Sequence, residues 1–343
     1  MKFVSLLAVA AFLLAAPAHA QFAPPVEQNV GFASYLPRLR ALGQAAGVSQ
    51  RTLDSVFPAL QFSSRTVELD RAQPGGVSGS TPAPPFAPYY RDHVTAALIE
   101  RGRARYAALR PQLARVEARY GVPGSVAMAI FGHETSYGTV TGDFDLLNSL
   151  ASLAYDGRRR ALFEGEFIAT LKMLDRGYPR SLLRGSWAGA TGYPQFLPSV
   201  YLRLAADADG DGRADIWRSQ ADALASIANY LSNAGWKRGA SWGMRAAVPI
   251  GFDRASVRST LAAPRCARVH ARHSRWLTVG EWRRRGVQPL GGIRDEELAS
   301  LLEPDGPGRT AYLLTGNYRA ILDYNCSNFY ALSVGLLADE IAR

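Results

Sequence analysis

Apolar positions recur at helical spacing along most of the chain. Leu36, Leu39, Leu42 and Ala46 mark a helical stretch over residues 32–60, behind a polar start at 21–30. Helical patterns resume at Tyr90 and run to Tyr120, where Gly121 closes the segment. From there to Gly235 the pattern predicts short helices separated by glycine-rich turns. Residues 328–342 are apolar with helical spacing and predict a closing helix. Period-two alternation is scarce: residues 276–279 and 309–314 predict short strands, and residues 236–243 read as a loop. No repeat recurs at solenoid periods. The expected fold is mainly α, with small β segments.

Two stretches stand outside this pattern. Met1-Lys2 followed by an apolar run to Ala16 and by Ala18-His19-Ala20 is the layout of a secretory signal peptide over residues 1–20. The run is short for a membrane span, and no later stretch is long enough. No cysteine stands at the cleavage site, so lipid attachment there is excluded. Residues 72–88 are rich in Pro, Gly and Ser and read as a long connection. The chain therefore divides into 1–20, an N-terminal helical segment with linker at 21–88, and a larger region at 89–343.

Composition then narrows the partners. The 343 residues carry 39 Lys+Arg against 29 Asp+Glu, a net charge of +10, which asks for an anionic partner without naming it. Export argues against nucleic acid and leaves peripheral contact with a membrane surface open; oligomeric state is not legible. Two cysteines, Cys266 and Cys326, exclude a thiolate zinc cluster. They can pair in an oxidising compartment, or stay as two buried thiols.

Candidate chemistry begins at Gly132-His133-Glu134-Thr135-Ser136-Tyr137-Gly138. Val126, Ala127, Ile130 and Phe131 form an apolar stripe whose next position is Glu134, on a helix with Pro123 as its first position. Burial and the negative end of the helix dipole both disfavour a carboxylate there. Such a carboxyl stays protonated and can donate to a leaving oxygen. The competing reading is a core glutamate satisfied by an arginine or by backbone donors.

Residues 185–199 combine small residues with Trp187, Tyr193, Phe196 and Gln195, the flat faces and polar groups that a sugar ring needs; a tight helix–helix turn is the alternative. Asp207, Asp209, Asp211 and Asp215 with Gly212 match positions 1, 3, 5 and 9 and the glycine of an EF-hand loop. Arg218 stands at position 12, where an acid is expected, so Asp222 is the candidate for an enlarged loop; it could equally cap its helix with Ser219. Arg158 and Arg159 are candidates for gripping carboxylates. Tyr324 and Tyr330 could line a cleft or fill a core. His133, His270 and His273 lack metal-ligand spacing and read as structural or exposed.

In this order the motifs resemble the lytic murein transglycosylase B family, a peptidoglycan lytic transglycosylase family (glycoside hydrolase family 103). The match runs through Glu134, Arg158-Arg159, the 185–199 block, the acidic loop, Ala228-Asn229-Tyr230 and Tyr324 to Tyr330, covering residues 32 to the end. The resemblance implies a lysozyme-like helical core at 89–343 with an EF-hand-like calcium loop at 207–222, acting on peptidoglycan glycan strands in the periplasm. It makes Glu134 the catalytic acid. Ser186, Gln195, Arg158, Arg159, Tyr230, Tyr324 and Tyr330 become substrate-binding residues. Asp207, Asp209, Asp211, the carbonyl of Arg213 and Asp222 become ligands of a structural Ca2+; no organic cofactor is implied. The implied reaction cleaves the MurNAc-β-1,4-GlcNAc bond without water and leaves 1,6-anhydro ends. Its rivals are a hydrolytic muramidase using Asp143 or Asp145, and a non-catalytic calcium-stabilised glycan-binding protein. His133 and Pro194 depart from the family pattern.

Overall fold

The computed structural model describes residues 25–73, 84–260, 263 and 265–343. The expected signal peptide and most of the expected linker lie outside the described residues. The remainder packs as two compact units that are not consecutive pieces of chain. Residues 25–73 join 141–191 and 196–202 in one, and 84–140, 192–195 and 203–343 form the other.

The first unit is helical. The stretch expected over 32–60 divides into Pro25–Ala45 and Gln50–Val56, because Gly47 takes a left-handed conformation (φ 80°) and Ser49 caps the second helix. Helix Ser64–Arg71 follows, then Leu146–Asp156 and Arg160–Asp175. Leu39, Leu53, Leu146, Leu150, Phe163, Phe167 and Leu171 form its core. Phe144–Asp145 pairs with Arg184–Gly185 as a two-stranded antiparallel ribbon. The buried Glu166 is satisfied by the backbone N–H and hydroxyl of Ser199, at 2.9 and 2.6 Å.

The second unit is built around helix Gly124–Thr135. Residues 124–132 of this helix are all buried, so it is a core helix apolar on every side rather than a striped one. Pro123 stands just before it as the capping position, and not inside it. Helices Ala96–Ala108, Arg110–Tyr120, Gln220–Asn233 and Asn328–Ala342 surround it. The expected 90–120 stretch breaks twice: Thr95 caps a new helix, and Pro111 opens another. The linker ends earlier than expected, since Phe86–His93 is already helical. The closing helix is Asn328–Ala342, as the periodicity predicts.

A five-stranded antiparallel sheet completes this unit, in the order Leu277–Thr278, Leu298–Leu302, Ala311–Leu314, Gly243–Ala247, Gln288–Pro289. The two expected strands are its first and third members. Trp282, Val287, Leu301 and Leu313 form a separate core beneath it. Cys266 and Cys326 are bonded, closing a separation of 60 residues. In the chain-entropy account such a closure stabilises by about 4 kcal/mol. The outcome is the mainly helical protein with small β segments that the sequence predicts.

Candidate active site

The end of helix Gly124–Thr135 is held by its own motif. Ser136 and Tyr137 both take positive φ (51° and 60°), with Gly138 at 86°. This lets Ser136 N–H reach Gly132 O (2.9 Å) and Tyr137 N–H reach Phe131 O (3.4 Å), closing the helix end. Tyr137 then turns back over the helix and donates its hydroxyl to Leu98 O at 3.1 Å. A Cβ on Gly132 would lie 2.5 Å from the Tyr137 ring, so only glycine fits beneath it. The Thr135 hydroxyl lies between the carbonyls of Phe131 (3.2 Å) and Tyr193 (3.3 Å) and accepts from Gly138 N–H (3.0 Å).

Glu134 sits in this fixed last turn. Tyr330, from helix Asn328–Ala342, donates its hydroxyl to Glu134 Oε1 at 2.6 Å. Oε2 has no protein partner among the described residues. The residue keeps some solvent access, yet its carboxyl is densely surrounded by protein. Burial pushes it up to about 7, opposed by the Tyr330 hydrogen bond, which favours the charged form. No second carboxylate acts on it among the described residues. The competing core-glutamate reading required an arginine or backbone donors, and neither is present among its described partners.

Three tyrosines continue from this carboxyl. Tyr324 stacks parallel to Tyr330 with ring centroids 6.5 Å apart, and Tyr230 meets Tyr324 edge-on at 4.8 Å. Tyr324 donates to the backbone carbonyl of Pro194 at 2.5 Å, a contact that uses the main chain and not the proline ring. Tyr230 donates to the Asp323 backbone carbonyl at 2.9 Å. Burial holds all three hydroxyls above their ordinary range, so they remain donors. Gln195, in the same unit, takes φ 52° and donates Nε2 to Gly192 O at 2.9 Å. On the other side of Tyr330, His133 packs its ring edge-on at 4.7 Å, followed by His93 and Tyr89 in a stack. Burial lowers His133 to about 4, so it stays neutral beside Glu134. Tyr89 and His93 were not legible as site residues, because only folding brings them to residue 133.

The remaining candidates lie in the other unit. Ser186 is used within its own turn, accepting from Ala190 N–H at 3.0 Å. Arg158 and Arg159 both engage the fully buried Asp70, Arg159 through its carboxylate and Arg158 through its backbone carbonyl. Their side chains nevertheless keep 37% and 40% of their surface exposed. Asp70 is the counter-ion that the sequence did not reveal, 88 residues before Arg158. Asp145, a candidate for directing water, caps helix Leu146–Asp156 and pairs with Arg180 at 2.9 Å, so it is committed structurally. Asp143 is exposed.

In the acidic loop, one carboxylate oxygen each from Asp207, Asp209 and Asp211 lie within 4.8 Å of one another. Hard oxygen donors gathered on an exposed loop fit Ca2+. Asp222 does not join them. Its Oδ1 accepts from Ala208 N–H and its Oδ2 from Asp215 N–H, both at 2.8 Å, so it braces the two limbs of the loop from a buried position. Ser219 caps the helix that carries it. Arg213, whose carbonyl is the expected ligand, is exposed on the same loop and donates its backbone N–H to Asp211 Oδ1 at 2.8 Å.

A family described as a transglycosylase SLT domain matches residues 31–339. The chain belongs to that transglycosylase family. Its relatives include the membrane-bound lytic murein transglycosylase B of Escherichia coli K12, 31% identical over 300 residues, 85% of this chain and 75% of that protein. Among solved structures, SltB3 of Pseudomonas aeruginosa in complex with NAG-anhNAM-pentapeptide superposes with a TM-score of 0.80 at 38% identity, covering 91% of this chain and 79% of that one. The Escherichia coli lytic transglycosylase Slt35 in complex with calcium gives a TM-score of 0.71 at 26% identity, over 96% and 98% of the two chains.

For this transglycosylase, replacing Tyr330 by Phe removes the one hydrogen bond that favours the Glu134 carboxylate. The Glu134 titration midpoint, followed by carbon NMR of a labelled side chain, is expected to rise above the wild-type value. A downward shift would show that Tyr330 does not stabilise the carboxylate.

Proposed function

We propose that the protein is a periplasmic peptidoglycan lytic transglycosylase with a lysozyme-like core. The observation that carries this is Glu134: one carboxyl whose burial favours the protonated form, with no second carboxylate acting on it among the described residues. A hydrolase of the usual two-carboxylate kind needs a second carboxylate, as the base that activates water or as the nucleophile. Glu134 protonates the glycosidic oxygen between MurNAc and GlcNAc as the bond from MurNAc C1 breaks. The 2-acetamido group stabilises the cationic sugar. The Glu134 carboxylate then takes the proton from the MurNAc 6-hydroxyl, whose oxygen bonds to C1 and closes a 1,6-anhydro ring. The acid is regenerated and no water is consumed.

Residues of the same unit serve this centre. Tyr330 orients the carboxyl and stabilises it after its proton has left. Tyr230, Tyr324 and Gln195 offer ring faces and amide groups to the glycan. Ser186, Arg158 and Arg159 are further substrate-binding residues, the arginine pair held in place by Asp70. The lytic relatives named above support the same reading. Export by the 1–20 signal agrees with it, and no helix among the described residues is long and apolar enough to cross a membrane. Digestion of purified sacculi tests the reaction. Products are expected to carry anhydro ends, one water lighter than reducing ends, and Glu134→Gln is expected to release none. Reducing ends would make the protein a muramidase, and turnover by Glu134→Gln would remove Glu134 from the mechanism.

Calcium is the cation we assign to the acidic loop, held by Asp207, Asp209 and Asp211. Bound there, it would offset two of three like charges, relieve their repulsion and tie the loop together. Calorimetric titration of the full chain with Ca2+ is expected to show one site and a raised melting temperature. Asp209→Asn with Asp211→Asn should lose both effects; binding that survives the double substitution would move the site elsewhere.

A further inference from the structure

A hollow of about 530 Å³ opens in the second unit, lined by Asn233, Arg265, His270, Arg319 and Asp323. It lies outside the Glu134 centre but joins it, because Asp323 also accepts the Tyr230 hydroxyl. Arg319 comes from helix Gly316–Tyr324, and its guanidinium lies 5.1 Å from the centre of the Trp276 ring. Its Nε is buried with no hydrogen-bond partner, and no carboxylate pairs with it among the described residues. His270 Nδ1 is likewise buried without a partner. By contrast Arg265 is spent on Asp323, at 2.6 Å.

A partly buried guanidinium without a counter-ion carries a desolvation cost that a bound acceptor would remove. Burial lowers Arg319 only to about 10, so it stays cationic at neutral pH. A planar fork stacked on an indole presents its donors in the geometry that a carboxylate accepts. Asp323 on the rim, already paired with Arg265, still works against a compact polyanion such as phosphate. The matching ligand carries a carboxylate on a flexible chain. The peptide stem of peptidoglycan carries such carboxylates.

We propose that this hollow is a subsite for the peptide stem of the glycan substrate, with Arg319 anchoring a stem carboxylate. The inference rests on the proposed function for its substrate. It accounts for part of the basic charge by a specific contact, and it places the peptide beside Tyr230 while the sugar occupies the Glu134 centre.

Calorimetric titration of the full chain with L-alanyl-γ-D-glutamyl-meso-diaminopimelate tests it. Binding is expected to weaken roughly tenfold or more in Arg319→Met, which keeps the stack on Trp276 but loses the charge. Amidation of the peptide carboxyls should weaken binding to wild type by a similar factor. Equal binding by Arg319→Met, no effect of amidation, or inorganic phosphate binding as tightly as the peptide would each overturn the assignment. If Arg319→Met fails to fold by circular dichroism, Arg319→Lys serves: weakened binding supports the fork, and unchanged binding rejects it. Turnover of peptide-free glycan strands by the wild-type protein reports on the proposed function separately.

Discussion

The contact between the Tyr330 hydroxyl and the Glu134 carboxyl is the interaction on which the proposed chemistry depends. Burial alone favours the protonated form of Glu134. The hydrogen bond at 2.6 Å offsets part of that preference and leaves the acid titrating near neutrality. A general acid that must later act as a base is most useful in that range. The surrounding tyrosines are themselves held above their ordinary range, so none competes for the proton.

Much of the second unit serves to keep that contact in place. The helix carrying Glu134 is buried on every side, which removes freedom to rotate or slide. Its end is pinned where Tyr137 lies against Gly132, and where Thr135 meets the Tyr193 carbonyl. Tyr193 in turn donates its N–H to Ile216 O at 2.9 Å, and a Cβ on Gly192 would run into the Ile216 side chain. Ile216 follows directly on the acidic loop. A continuous set of contacts therefore joins the proposed calcium loop to the last turn of the helix that carries Glu134. The loop's distance in sequence from Glu134 gives no hint of this.

The sequence showed most of what is local and little of what is assembled. Helices with clear periodicity, the closing helix at 328–342 and the motif around Glu134 were readable because their signals lie within a few residues of each other. The sheet was mostly missed. Leu298–Leu302 (Leu-Ala-Ser-Leu-Leu) lacks the period-two alternation of a half-buried strand, and Gly243–Ala247 contains few residues that favour strands. Pairing partners are also remote, as Gly243 opposes Leu314. Among site residues, the tyrosines were named as substrate-binding but without the hydrogen bond from Tyr330 to Glu134, and Asp222 was assigned as a ligand where the fold uses it as a brace. Asp70, His93 and Arg319 carried no sequence signal, since their importance lies in neighbours supplied by other elements.

The pH dependence of kcat/KM on sacculi tests the central claim most directly. With Glu134 acting as the buried acid, activity should fall about tenfold per pH unit above about pH 7, with the loss of a single proton. Activity that holds level to pH 9 would contradict the account, because a carboxyl titrating near neutrality could not then be the proton donor.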